Sequence, residues 1–174
     1  YRARHAGESV EGSFVTAPPR NQARPVTFLW SGDLGGGRQC RHVKDGYPIF
    51  GPMAQRKPDF FLFVGDTIYA DIRCGGPDWV PGNDFVATTL DGFREKHRYN
   101  RADASVQDFF RSTSVYAIWD DHEVKNDFSG PSEPLMPLGR RAFIEYWPLQ
   151  PSPDEPTRLY RKVRWGKLLE VFIL

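Results

Sequence analysis

Pro58-Asp59-Phe60-Phe61-Leu62-Phe63-Val64-Gly65-Asp66-Thr67-Ile68-Tyr69-Ala70-Asp71 is the stretch that decides how the chain is read. Its apolar run from Phe60 to Val64, bounded by Pro58 and Gly65, predicts a buried β-strand with Asp66 at its carboxyl end. Open α/β sheets carry their chemistry at that end. The design recurs on both sides. Pro25-Val26-Thr27-Phe28-Leu29-Trp30 runs into Ser31-Gly32-Asp33, and Val115-Tyr116-Ala117-Ile118-Trp119 runs into Asp120-Asp121-His122-Glu123. Buried strands that each end on an acid point to a metal site, and place Asp33, Asp66 and Asp121 together at one sheet edge.

Composition sets the frame. With 174 residues, 40% hydrophobic and 14% aromatic, the chain has material for one ordinary globular core. Lys and Arg number 23 against 22 Asp and Glu, so no long-range field draws it to nucleic acid or anionic membrane, and recognition of phosphate has to be local. No apolar stretch is long enough to span a bilayer, and Tyr1 is preceded by neither Met nor a signal peptide, as in a mature or trimmed piece. Cys40 and Cys74 each follow an acid motif; the sequence leaves their pairing open, and a disulfide would favour an oxidising compartment.

Outside the acid motifs, Tyr1-Arg2-Ala3-Arg4 and Gly12-Ser13-Phe14-Val15-Thr16 flank Gly7-Glu8-Ser9 and read as a hairpin. Gly35-Gly36-Gly37-Arg38 reads as a turn rather than a phosphate cradle, since no Lys-Ser or Lys-Thr follows. Pro48 and Pro52 restrict a helix at 47–57 to a short one. A turn-rich loop at 75–84 precedes helices at 90–99 and 104–111, the second capped by Asp103 with Val106, Phe109 and Phe110 as its apolar stripe. These supply the crossover that parallel pairing requires. A loop at 128–137, a helix at 138–147 ended by Pro148 and a linker at 151–156 lead to a hairpin of 159–165 and 168–174 turning at Gly166.

Singly, these motifs have bland alternatives. Gly65-Asp66 alone is a turn-capping acid, Tyr69 alone a core aromatic, and Asp120-Asp121-His122-Glu123 alone a charged helix N-terminus. Together they offer more. The glycine lets the chain turn, Asp66 has oxygens enough to bridge two cations, and Tyr69 would face the same ion if the chain coils there. The last tetrapeptide sets a hard oxygen ligand beside an imidazole able to donate a proton near neutral pH.

The two longest motifs, Asp59-Phe60-Phe61-Leu62-Phe63-Val64-Gly65-Asp66-Thr67-Ile68-Tyr69 and Trp119-Asp120-Asp121-His122-Glu123-Val124-Lys125-Asn126-Asp127, resemble the PhoD-type alkaline phosphatase and phosphodiesterase family of the metallophosphatases. The resemblance implies metal-dependent hydrolysis of phosphate mono- or diesters. It makes Asp66 the shared metal ligand, Tyr69 an iron ligand, Asp121 a ligand in the place of an amide, His122 the catalytic histidine and Asn126 a further ligand or phosphate contact. Asp33 stands where some members carry Cys, so the implied ions, ferric iron with calcium or another divalent ion, extend to manganese. The implied fold is α/β: residues 24–174 form the front half of a metallophosphatase-like β-sandwich core flanked by helices, and residues 1–18 the tail of an Ig-like or fibronectin-like β-sandwich domain. The implied partners are a phosphate-ester substrate and the remainder of the same catalytic domain, in a periplasmic or secreted location. No nucleic-acid groove is expected. The rivals are a calcium-stabilised secreted binding module and an inactive scaffold.

Overall fold

A computed structural model describes residues 1–36, 40–149 and 152–174. The chain opens with the antiparallel pair β1 (Arg2–His5) and β2 (Glu8–Glu11), exposed along its whole length. The expected second strand at 12–16 is displaced. Ala6 and Gly7 take φ of +47° and +87°, so two residues make the whole turn and Glu8 and Ser9 already pair with His5 and Arg4. Both central residues of such tight hairpin turns need positive φ, which the glycine supplies cheaply.

Next come β3 (Phe28–Ser31), α1 (Phe50–Gln55), β4 (Phe60–Val64), α2 (Leu90–Arg101), α3 (Ala104–Ser112) and β5 (Ser114–Ile118). The three strands form a parallel sheet in the order β3-β4-β5, so the apolar run that opened the sequence reading lies in its centre. Parallel pairing puts all three carboxyl ends on one edge, where Asp33, Asp66 and Asp121 follow. The chain then runs through α4 (Met136–Tyr146) into the hairpin β6 (Arg161–Trp165) and β7 (Leu169–Ile173), which turns at Gly166 with φ +62°.

Alternation along β4 divides the packing between its faces. Phe61 and Phe63 point into the helical layer, with Phe109 5.5 Å from Phe61 and Trp147 5.6 Å from Phe63. Phe60 points the other way and meets Trp165 of β6 at 4.8 Å. Asp103 caps α3 by accepting from the Ser105 and Val106 amides at 3.0 and 3.1 Å; Val106 and Phe109 are buried and Phe110 packs against the same cluster.

The sequence reading fails for β3, which is not buried: Phe28 is 39% and Trp30 71% exposed. Among the described residues β3 pairs only with β4 and is the sheet edge. An apolar run signals a strand, but which neighbours cover it is decided elsewhere in the chain. Of the glycine cluster, Gly36 donates to the Asp33 carbonyl at 3.0 Å in a turn, while Gly37 and Arg38 lie outside the described residues, as does Pro151 at the start of the expected linker. Among the described residues no helix is long and apolar enough to cross a membrane.

Candidate metal centre

The strand ends are held against one another by backbone geometry before any side chain is considered. Gly65 has φ +93°, and a Cβ there would lie 2.6 Å from the Cβ of Asp120, so the loops after β4 and β5 can touch only through a glycine. The Leu34 amide donates to the Asp66 carbonyl at 2.9 Å, tying the β3 end to the β4 end. Asp33, Asp66 and Asp127 all adopt positive φ, between +49° and +60°. Aspartate tolerates this conformation better than most residues, and such strained positions cluster at working sites.

Beneath them lies Glu123, fully buried. Its Oε2 accepts from the amides of Asp66 (3.2 Å) and Asp120 (2.8 Å), and its Oε1 from the Thr67 amide (2.5 Å) and hydroxyl (2.6 Å). One side chain thus clamps the β4 loop to the β5 loop. Burial pushes its carboxyl up to about 7, against the pull of these donors. The clamp is braced in turn: the Trp147 indole donates to the Thr67 hydroxyl, Asn100 donates to the Thr67 carbonyl, and Tyr47 donates to Asn100.

On the outer side of the clamp, Asp66, Asp121 and His122 each present a donor atom, all within 4.8 Å of one another. Burial raises the Asp66 pKa; hydrogen bonding from Tyr69 and the charge of His122 lower it, while the nearby Asp121 charge raises it further. A cation among these oxygens would relieve both burial and repulsion, so the donor set suits a hard metal ion. Tyr69 reaches the same place without the helical turn the sequence suggested: residues 67 and 68 form bends, and its hydroxyl donates to Asp33 Oδ1 at 3.0 Å. Burial first, then Asp66 and Asp33, drive its phenol well above the usual range, so a highly charged ion is needed to make it a phenolate ligand.

His122 is oriented from behind. Its Nδ1 lies 2.7 Å from Asp71 Oδ1, while Asp71 Oδ2 accepts the Asn126 amide at 2.8 Å. With the Nδ1 proton on Asp71, Nε2 is the free nitrogen. Burial opposes charge on the ring, but the Asp71 hydrogen bond and the surrounding carboxylates outweigh it and raise the His122 pKa. The ring lies over Tyr69, centroids 4.2 Å apart.

Of the expected residues, Asp66, Asp121 and His122 thus converge, and Asp33 and Tyr69, hydrogen-bonded to each other, adjoin them through the Tyr69 ring against His122. Asn126 stands further out. Its side chain donates to Asp127 at 2.6 Å, and the Asp127 amide donates to Asp121 Oδ2 at 2.6 Å, so it is linked to the group through Asp127. Sequence reasoning missed the roles of Asp71 and Glu123, although both sit inside the quoted motifs. The apolar Val124 directly after Glu123, itself buried, is the signal that this acid turns inward.

A second set of bonds fixes the long connection from β4 to α2. Cys40 and Cys74 form a disulfide with Cα atoms 5.9 Å apart. Buried Lys96 donates to the Ile72 carbonyl at 2.6 Å, and Tyr99 donates to the Val80 carbonyl at 2.8 Å.

A parallel sheet flanked by helices, with acids and an imidazole gathered past its strand ends, defines the class: an α/β domain with a group of side chains that could hold a metal ion. More narrowly, the chain belongs to the PhoD-like phosphatase family, whose model matches residues 38–174. It is 30% identical over 188 aligned positions to alkaline phosphatase D of Bacillus subtilis (strain 168), an alignment that takes in 95% of this chain and 30% of that protein. It also superposes on a solved structure of PhoD with a TM-score of 0.76 and 25% identity, over 98% of this chain and 35% of that one. The chain therefore spans about a third of the length of these relatives.

Proposed function

We propose that the chain supplies metal ligands and the catalytic histidine of a phosphoric ester hydrolase acting on phosphate mono- or diesters. The observation that carries this reading is the convergence of Asp66, Asp121 and His122 within 4.8 Å, in a family of phosphatases. Asp66, Asp121, Asp33 and Tyr69 would hold the metal ions; the tyrosine would favour ferric iron, and the carboxylate oxygens would suit calcium or manganese. Bound ions would polarise the phosphoryl oxygens and acidify the attacking water.

The chain's own residues do the rest. Asp71 holds the His122 imidazole by Nδ1, so Nε2 faces outward with its proton available for the phosphoryl or leaving oxygen. The Asp71 hydrogen bond and the surrounding carboxylates raise the His122 pKa, which favours the protonated ring. Glu123 fixes the distance between the loops that carry Asp66 and His122. Asn126 serves as an outer polar contact for phosphate. Residues 24–174 are then the front part of a β-sandwich metallophosphatase core, and residues 1–18 the tail of a preceding β-sandwich domain. The disulfide supports an extracytoplasmic location.

The test is element analysis of the full-length protein together with assays on phosphate mono- and diesters. Iron or another transition metal with metal-dependent turnover is the expected result. Calcium alone with no turnover would instead indicate a structural binding module.

A further inference from the structure

The connection from Thr67 to Thr89 joins β4 to α2 with no helix or strand of its own, yet it is heavily braced. Loops of that length within a compact domain are usually functional. Besides the disulfide and the Lys96 and Tyr99 bonds, bridges join Cys74 to Asn83 and His42 to Trp79, and the Val43 amide donates to the Asp78 carbonyl at 3.0 Å. So much bracing of an open loop is what a preformed binding wall needs.

Beside that wall lies an open recess of about 560 Å³ lined by Asp71, Ile72, Arg73, Trp79, Asp84 and Val86. Asp71 is shared with the candidate centre, since its Oδ1 holds His122. Resting on the hydrolase reading above, we propose that this recess receives the alcohol portion of the ester, and that the alcohol is a neutral, ring-bearing polyol of the sugar type.

Charge decides the class. Arg73 stands in the recess, with its Nη1 on the Asp84 carbonyl at 3.0 Å, and Lys96 lies buried beneath it; both disfavour an ammonium alcohol. Asp71 and Asp84 disfavour a second anionic group in the same way. Asp84 is directed inward by the bare Gly75: a Cβ on Gly75 would stand 2.7 to 2.9 Å from its carboxyl atoms. Among the described residues its carboxylate accepts no side-chain hydrogen bond and is available to hydroxyls. Half-buried Trp79, held edge-on by His42 at 5.7 Å, offers a fixed aromatic face for a ring. A donor, an acceptor and an aromatic platform with balanced charge match a hydroxylated neutral ring better than any ion.

The experiment uses the full-length, metal-loaded protein and phosphate esters that differ only in their alcohol: methanol, choline or methyl glucoside. The glucoside ester should be preferred. In Trp79→Ala the ratio of its kcat/KM to that of the methyl ester should fall about tenfold, in Trp79→Phe much less, and Asp84→Asn should lower the same ratio. Methyl glucoside alone should shift the Trp79 indole N–H resonance saturably in the wild-type protein, whereas choline and inorganic phosphate should not. Absence of that shift, or equal ratios in wild type and Trp79→Ala, overturns the proposal while leaving the hydrolase reading intact. A saturable shift without hydrolysis of any ester supports the recess and refutes the hydrolase reading.

Discussion

The ends of β3 and β4 carry the same three-residue pattern, an apolar or small residue, then glycine, then aspartate, yet they live in different surroundings. The β4 end is central: Asp66 is 6% exposed and its loop is clamped from below by a fully buried carboxylate. The β3 end belongs to an edge strand, and Asp33 is joined to the rest by backbone bonds to the β4 loop and by the Tyr69 hydroxyl. A strand-end acid is therefore tightly positioned when strands cover both sides of its own strand. At an edge it depends on what its neighbour offers.

The largest effect should come from removing the clamp. Glu123→Ala would leave buried amides of Asp66, Thr67 and Asp120 and the Thr67 hydroxyl without their acceptor, at a cost of about 3 to 5 kcal/mol in denaturant unfolding. Glu123→Gln should cost less and also change the pH dependence. Burial raises this carboxyl from 4.5 to about 7, so in metal-free protein the folded state keeps its proton longer than the unfolded chain. Its contribution is complete below about 4.5 and declines as the pH rises through about 7. The Gln variant should show a flatter slope across that window; an unchanged slope would mean that Glu123 is ionised throughout.

Next in size is the proposed ligand. Asp66→Asn should lower bound metal by on the order of one ion per chain with little loss of fold, because the Glu123 clamp grips the backbone of residue 66 and not its carboxylate. Asp33→Asn should have a smaller effect on metal content, as fits the looser end. Equal losses from both would erase the distinction between centre and edge.

Smaller again is the change at the orienting acid. Asp71→Asn should leave metal content near wild type and lower turnover about ten- to a hundredfold, whereas His122→Ala lowers it about 10² to 10⁴. The activity profile of Asp71→Asn should also move, since the raised His122 pKa owes its excess chiefly to Asp71: the protonated ring should be lost at lower pH than in wild type. A profile identical to wild type would reduce Asp71 to a brace for the Asn126 amide.

Much of this was legible in the chain. The apolar run at Phe60 to Val64 gave a central strand because Phe61 and Phe63 on one face and Phe60 on the other are all buried, which is what an uninterrupted hydrophobic strand encodes. Asp103 announced its helix because a cap is a local bond within three residues. What was not legible was contact across the chain. Glu123 holds residues 56 and 57 positions away, and Asp71 meets an imidazole 51 positions away; no periodicity encodes either pairing. The exposure of β3 belongs with these, because strand order is a property of the whole sheet.

The smallest effect should fall on that edge. Trp30 is 71% exposed on β3, whereas Phe61, one strand in and paired with Leu29, is 1% exposed and packs on Phe109. Phe61→Ala removes a buried ring and should cost about 3 to 5 kcal/mol. Trp30→Thr removes a ring that already faces water and substitutes a residue that suits strands, so it should change stability by no more than about 0.5 kcal/mol. The two variants are to be measured by denaturant unfolding of the full-length protein. A large cost at Trp30 would mean that in the whole protein something packs over the β3 edge, making this strand as central as β4. The contrast between the two strand ends would then reflect the surface of this segment alone, and Asp33 would regain equal standing with Asp66 as a fixed ligand.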